Sequence, residues 1–186
     1  SADLNSFVAR KNPLCVIKAY KNLIEEKFTK NKNKPRLFLR LSNFSNSKHY
    51  NIIKEINNFE GIYLITDNLS RKKYLELLSK SHCYISCHRA EGFGRNIAEA
   101  MYLGTPTIVS NYSGNLDFCN EENSHLIDGE LIEINKGEYP LSEGCLWYNP
   151  SIKHLKSIMF DVFNNYDKAE LKSIKAKNFI KKNHTI

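Results

Sequence analysis

The stretch Glu91–Met101, EGFGRNIAEAM, decides how the rest of the chain is read. An apolar run, His82–Cys87 (HCYISC), precedes it and reads as a buried strand. Arg95–Leu103 follows with helical spacing. The stretch is therefore a strand-to-helix turn holding two glycines, with an acid at its mouth. Such a turn presents the unpaired N–H groups of a helix N-terminus to the outside. That is an anion site, and phosphate is the usual anion. Gly92 and Gly94 lack a Cβ, so the backbone there is free to take φ > 0 and to approach a ligand closely.

Two carboxylates bracket the turn, Glu91 and Glu99. Beside a phosphate they make sense if they face hydroxyls of a sugar or ribose, which donate hydrogen bonds to them. Each also has a plainer reading. Glu91 is an acid near the positive end of a helix. Glu99 stands four residues after Arg95 and suits an i,i+4 ion pair. Both readings stay open at this point, because a glycine-rich turn alone is a weak signal.

With 186 residues, 41% hydrophobic and 25% charged, the chain has the size and composition of one globular domain, residues 1–186. It is long enough to bury a core without disulfides or metal. No apolar run approaches the ~20 residues that span a bilayer. The opening SADLNSFVAR lacks an initiator methionine and a signal peptide, so an excised piece of a longer, cytoplasmic protein is expected. The net charge of +7 is compatible with anionic ligands, nucleic acid or an anionic membrane. Much of it lies in diffuse lysines, 27–34 and 168–182, the usual pattern of a solvated face. Five cysteines without a CxxC spacing, and six histidines without HxxxH or HExxH, point to reduced, mostly buried thiols and to no metal site.

Along the chain, Asn5–Ala9 reads as a first strand, and RKNP (Arg10–Pro13) as a loop leading into a helix capped by Asn12. Arg10 and Lys11 sit in that loop; two exposed basic residues at a turn is the alternative. Further strands are expected at Arg36–Leu41, Gly61–Thr66, His82–Cys87, Thr105–Ser110 and Ser124–Ile127. Helices are expected at Lys48–Phe59, Arg71–Ser81 and Arg95–Leu103, the last closed by Gly104, and then at Pro150–Asn164 and Tyr166–Lys181. Leu131–Tyr148 reads as irregular.

Alternating strands and helices give an α/β fold, a Rossmann-like doubly wound parallel sheet with strand order 3-2-1-4-5-6. Ligands in that topology bind at the carboxyl ends of strands one and four. The loops there are Arg10–Lys11 and Glu91–Gly94, far apart in sequence, and they are expected to converge on one crevice.

The pattern E-x7-E (Glu91, Glu99) within EGFGRNIAEAM, followed by GTPTIVS (Gly104–Ser110), resembles the C-terminal, donor-binding lobe of a GT-B glycosyltransferase of family 4, the retaining group 1 type. RKNP, SGNLDF (Ser113–Phe118) and EGCLWYNP (Glu143–Pro150) add to the resemblance, which covers nearly the whole chain. It implies a nucleotide-diphosphate sugar as donor and no metal or other cofactor. Glu91 would face the donor sugar near its anomeric centre. Gly92, Phe93 and Gly94 would contact sugar or distal phosphate through backbone amides, and Arg95 and Asn96 the phosphates. Glu99 would bind ribose hydroxyls. Lys11, with Arg10 beside it, would neutralise the diphosphate, and the base would lie near Ile65 and Thr66. His88–Ala90 would shape the sugar pocket. Many members carry a phosphate arginine where Ser6 stands here, which leaves Arg10 as the substitute. The resemblance further implies an N-terminal domain of the same chain as partner, a glycan or lipid-linked acceptor, surface polysaccharide or lipopolysaccharide synthesis, and a place in the cytoplasm or at the inner face of its membrane. Nucleic acid is not an expected partner. The rival readings are a non-catalytic Rossmann-like nucleotide- or nucleic-acid-binding module and a GT-B sugar-nucleotide epimerase.

Overall fold

The computed structural model describes residues 2–3, 7–29, 33–44, 50–56 and 58–184. In chain order the elements are β1 (Ala2–Asp3), α1 (Val8–Lys11), α2 (Pro13–Lys27), β2 (Leu37–Ser42), α3 (Tyr50–Ile56), β3 (Ile62–Ile65), α4 (Arg71–Ser79), β4 (Tyr84–Ser86), α5 (Arg95–Leu103) and β5 (Thr107–Ser110). A 3-10 turn at Gly114–Asp117 precedes β6 (His125–Ile127), β7 (Gly129–Glu133), β8 (Leu146–Pro150), α6 (Ile152–Asn164) and α7 (Tyr166–Asn183). The α/β class and the Rossmann-like alternation read from the sequence are those observed.

The strands form two parallel sheets, β1-β2-β3 and β4-β5-β6, and one antiparallel hairpin, β7-β8. These are the two halves of the order 3-2-1-4-5-6. The junction between β1 and β4 is not hydrogen-bonded among the described residues. All four residues of β5 are buried, and they alternate between two cores. Ile108 joins the cluster built by α2, α3 and α6, through Ile17, Leu23, Ile52 and Leu155. Val109 joins the cluster built by α4, α5 and α7, through Leu78, Met101, Ala176 and Ile180. A strand buried on both faces shows no charged side, and the two hydroxyls of this one, on Thr107 and Ser110, are both hydrogen-bonded, to the Ser124 hydroxyl and the His88 carbonyl. Three of the thiols, Cys15, Cys87 and Cys119, are buried in these cores, and all five cysteines are free. Burial pushes the Cys83 and Cys119 thiols up to about 12, so they stay protonated and inert.

Several expectations need correction. The first strand is Ala2–Asp3, not Asn5–Ala9: Val8 and Ala9 open a one-turn helix, and Asn5 and Ser6 lie outside the described residues. Arg10 and Lys11 are consequently the last turn of α1 rather than a loop. Asn12 does separate two helices, but through its left-handed backbone (φ 49) and not through a side-chain cap. The segment read as irregular contains half of the β7-β8 hairpin, in which Ile132 faces Trp147 and Leu131 faces Tyr148. Pro150 ends β8, and Ser151 caps α6 by accepting from His154 N at 3.2 Å. The helix expected at Lys48–Phe59 is described only as Tyr50–Ile56; Lys48 lies outside the described residues.

Two measurements test this packing. Ile108→Ala should destabilise the fold by about 2–5 kcal/mol in chemical denaturation, because the site is closed on all sides by other core side chains. His125 on β6 is half-buried, its Nε2 has no hydrogen-bond partner among the described residues, and burial lowers its pKa from 6.5 to about 4. The unfolded chain then binds the proton first. The stability from keeping this imidazole neutral is full above pH 6.5 and is lost as pH falls towards 4. His125→Asn should flatten that part of the stability–pH curve.

Candidate functional site

The loop after β4 is built on a buried polar post. His88 is wholly buried. Its Nε2 meets Asn115 Oδ1 at 2.9 Å and the Tyr112 carbonyl at 3.2 Å, and its Nδ1 lies 3.0 Å from the Ser86 hydroxyl. Two oxygen acceptors at Nε2 place the proton there and leave Nδ1 to accept from Ser86. Burial holds the ring below its usual pKa, against the opposing pull of its hydrogen bonds to Tyr112 and Asn115. Ser110 Oγ donates to the His88 carbonyl at 2.6 Å, and Asn115 Nδ2 donates to the Ser110 carbonyl at 3.0 Å. The end of β4, the end of β5 and the SGNLDF turn are thereby tied into one unit.

On that post stands Glu91. Its amide donates to Ser113 Oγ at 2.9 Å, and its carbonyl accepts from Gly114 N at 3.0 Å. The two loops touch so closely at Gly114 that an added Cβ would lie 1.7 Å from the Gly92 carbonyl oxygen. Gly94 follows in the left-handed region (φ 90) and starts α5, whose first turn carries no side-chain cap. The positive end of the α5 backbone dipole therefore opens at this loop.

The end of α1 comes to the same place. Arg89 N donates to the Arg10 carbonyl at 2.8 Å, and Arg10 Nη1 donates to the Ala90 carbonyl at 2.9 Å. Lys11 Nζ forms an ion pair with Glu91 Oε2, and Arg10 Nη1 reaches the same oxygen at 3.4 Å. Residues 80 positions apart thus share one partly buried charge cluster. The hairpin closes the flank: Arg89 lies over the Trp147 ring at 4.6 Å, the Arg89 carbonyl accepts from Tyr148 N at 2.9 Å, and Tyr139 packs on Phe7 at 4.7 Å.

A cavity of about 1010 Å³ meets this cluster, and Lys11, Glu91, Gly94, Arg95 and Asn96 line it. Arg10 joins them through Glu91. The other candidates stand apart. Thr66 is exposed beyond β3 and does not line the cavity. Gly92 is exposed, and Phe93 turns to Phe118 and His184, with ring centroids 4.9 and 5.5 Å away. Ser6 lies outside the described residues. Glu99 is 1% exposed and bound to two arginines, Arg71 at 2.8 Å and Arg95 at 3.3 Å, both on Oε1. The i,i+4 pair read from the sequence does form, but on a buried carboxylate, and Oε2 keeps no hydrogen-bond partner among the described residues. Glu99 in turn raises the pKa of Arg71. Sequence reasoning missed Arg71, because nothing in an RKK triplet marks the residue that reaches across to another helix. It also missed the joint between Ser113–Gly114 and Glu91, although the SGNLDF motif itself was visible.

Among the described residues, no group of three or more His, Cys, Asp or Glu side chains could hold a metal ion. No helix among them is long and apolar enough to cross a membrane.

The sequence pattern described as glycosyl transferases group 1 matches residues 4–138. The chain belongs to this family. No curated protein sequence matches it. Several solved structures share the fold of this group 1 glycosyltransferase chain at low identity. TarM superposes with a TM-score of 0.67 at 18% identity, over 95% of this chain and 30% of its own. Anabaena HepE in complex with UDP-glucose gives 0.65 at 14% identity, over 94% of this chain and 41% of its own. The C-terminal domain of LpcC, a group 1 family protein from Francisella tularensis, gives 0.68 at 12% identity, over 96% of this chain and 82% of its own. The chain thus spans less than half the length of TarM and HepE but most of the LpcC domain. These matches are to GT-B glycosyltransferases, so the fold is the Rossmann-like lobe of that architecture.

The contact between the loops gives a paired test. Gly114→Ala should destabilise the glycosyltransferase lobe by about 1–3 kcal/mol, because its Cβ meets backbone that cannot retreat without moving Glu91. Gly92→Ala, whose Cβ would meet nothing within 4 Å, should stay within about 0.5 kcal/mol of wild type. Thermal melting of both variants checks the contrast.

Proposed function

We propose that this chain is the donor-binding lobe of a retaining hexosyltransferase. It takes a nucleotide-diphosphate sugar and, with an N-terminal domain of the same polypeptide, passes the sugar to a glycan or lipid-linked acceptor in surface polysaccharide synthesis. The observation that carries the reading is the meeting of Arg10 and Lys11 with Glu91 at the N-terminal end of α5. Two cations and a helix end surround one point, and a carboxylate shares it. That is the charge distribution a departing nucleoside diphosphate requires beside a sugar that is gaining positive charge. HepE, of like fold, is described in complex with UDP-glucose, which fits a donor of this class.

Both cations are engaged by Glu91. Donor binding is then an exchange: the diphosphate takes over Lys11 and Arg10, and the carboxylate is released to the sugar. Cationic side chains and helix-end amides neutralise the leaving group, so the reading calls on no metal or other cofactor. Glu99, held by Arg71 and Arg95, offers a ribose hydroxyl an acceptor oxygen that has no partner among the described residues. Work on a lipid-linked acceptor places the enzyme in the cytoplasm or at the inner face of its membrane.

Calorimetry with UDP, GDP, dTDP and ADP tests the site, and no binding of any of them at millimolar concentration overturns it. Lys11→Ala should weaken binding of the preferred nucleotide diphosphate by roughly 1.5–3 kcal/mol, about 10- to 150-fold. Glu91→Gln should do the opposite, tightening diphosphate binding because it frees both cations, while product assays on the full-length enzyme lose most turnover. Unchanged turnover in Glu91→Gln would remove this carboxylate from the chemistry.

A further inference from the structure

The two helix layers of the lobe differ in charge. α4, α5 and α7 pack together over one face of β5, through Tyr74, Leu78, Met101 and Ile180. α2, α3 and α6 cover the other face. Among the described residues, the exposed charged side chains of α4, α5 and α7 are eight cations and three acids. Those of α2, α3 and α6 are four cations and three acids. One layer is close to balanced and the other is strongly basic. Lysines that look diffuse along the sequence are thus collected on one side of the molecule.

The helix α7 supplies half of those eight cations, Lys168, Lys175, Lys181 and Lys182. It buries Ala169, Ser173, Ala176 and Ile180 and packs on α5. Its other side carries Lys168, Leu171, Ile174, Lys175, Asn178 and Lys182, at spacings of three and four that put them on one face. Leu171 is 63% exposed and Ile174 51%. Lys181 Nζ stands 5.6 Å from the ring centroid of Tyr102, which is exposed on α5. The exposed acids of α7, Asp167 and Glu170, lie near its N-terminus, where they suit the helix dipole.

Charge and apolar exposure together select the partner. Lysines ringing bare aliphatic side chains suit a helix that lies along a bilayer. The ammonium groups stay level with anionic headgroups, while the alkyl stems and the aliphatic side chains reach the acyl boundary. A nucleic acid would meet the same charge but offers Leu171 and Ile174 only phosphate and sugar. The layer also borders the candidate site: the ring of His184, the C-cap of α7, lies 5.5 Å from that of Phe93 in the glycine turn.

We propose that the outer face of α4, α5 and α7, centred on α7, docks on an anionic phospholipid bilayer. The lobe rests on that surface without crossing it, held by charge and by shallow burial of Leu171 and Ile174. The loop that carries Glu91 then opens beside the membrane. The inference does not depend on the donor reading, because docking is measured without nucleotide and either can fail alone.

Vesicle co-sedimentation of the full-length polypeptide tests it. The protein should bind phosphatidylcholine–phosphatidylglycerol vesicles but not pure phosphatidylcholine ones, and added salt should release it. One lysine near an anionic surface strengthens binding about fivefold. Replacing Lys168, Lys175, Lys181 and Lys182 together by Gln should therefore weaken binding by about a hundredfold or more. The same change at Lys18, Lys54 and Lys153, on the opposite layer, should leave it within about twofold. Ile174→Trp should give a blue-shifted emission when those vesicles are added. Binding that survives in the four-lysine variant, or falls equally in the opposite-layer variant, overturns the proposal. So does an unshifted emission from Ile174→Trp, or binding to duplex DNA without binding to vesicles.

Discussion

The ion pair between Lys11 and Glu91 is the joint on which this lobe turns. It connects the end of α1 to the loop after β4, and so couples the two halves of the sheet at the place where chain direction across it reverses. Both side chains are mostly but not fully buried. The Coulombic gain of such a pair is largely offset by the cost of removing two charges from water, so its contribution to stability is small. Its effect is positional. Arg10 adds a second cation to the same oxygen and a hydrogen bond to the Ala90 carbonyl, so the loop cannot shift without breaking contacts to both.

The neighbourhood of the joint is rigid for reasons that do not involve charge. His88 is neutral and buried, with partners on both ring nitrogens, and it links the ends of β4 and β5 to the turn at Asn115. Gly114 lets that turn approach the Gly92 carbonyl more closely than any side chain permits. A charged group on a mobile loop would relax towards water. Glu91 is held by its own amide and carbonyl, so its carboxylate stays among the cations. Fixed charges of this sort stabilise a developing charge without reorganising when it forms.

Glu99 illustrates the opposite balance. A fully buried carboxylate is expensive unless it is paired and hydrogen-bonded. Arg71 and Arg95 supply the pairing from two helices, but one oxygen has no partner among the described residues. Local incompleteness in an otherwise well-packed helix is commoner at functional positions than in structural ones.

The sequence by itself determined the α/β alternation, the helix Arg95–Leu103 and its bounds, the glycine turn before it, and the meeting of the distant Arg10–Lys11 pair with the Glu91 loop at one end of the sheet. These follow from local chemistry: apolar periodicity, glycine at positive φ, and the short list of right-handed parallel topologies. Tertiary structure alone decided the rest. Phe7 and Val8 carry strand-forming side chains, yet Val8 and Ala9 form a helical turn that carries Arg10 and Lys11 to Glu91. Ile132 and Trp147 lie in a segment without clear period, yet they pair in a hairpin because each strand finds its partner across a loop. Arg71 reaches Glu99, and Gly114 meets Gly92, through contacts between elements separated in sequence. Periodicity reports which face of a segment is buried; it carries no record of which neighbour covers that face, and the neighbour is what places a charge or forbids a side chain.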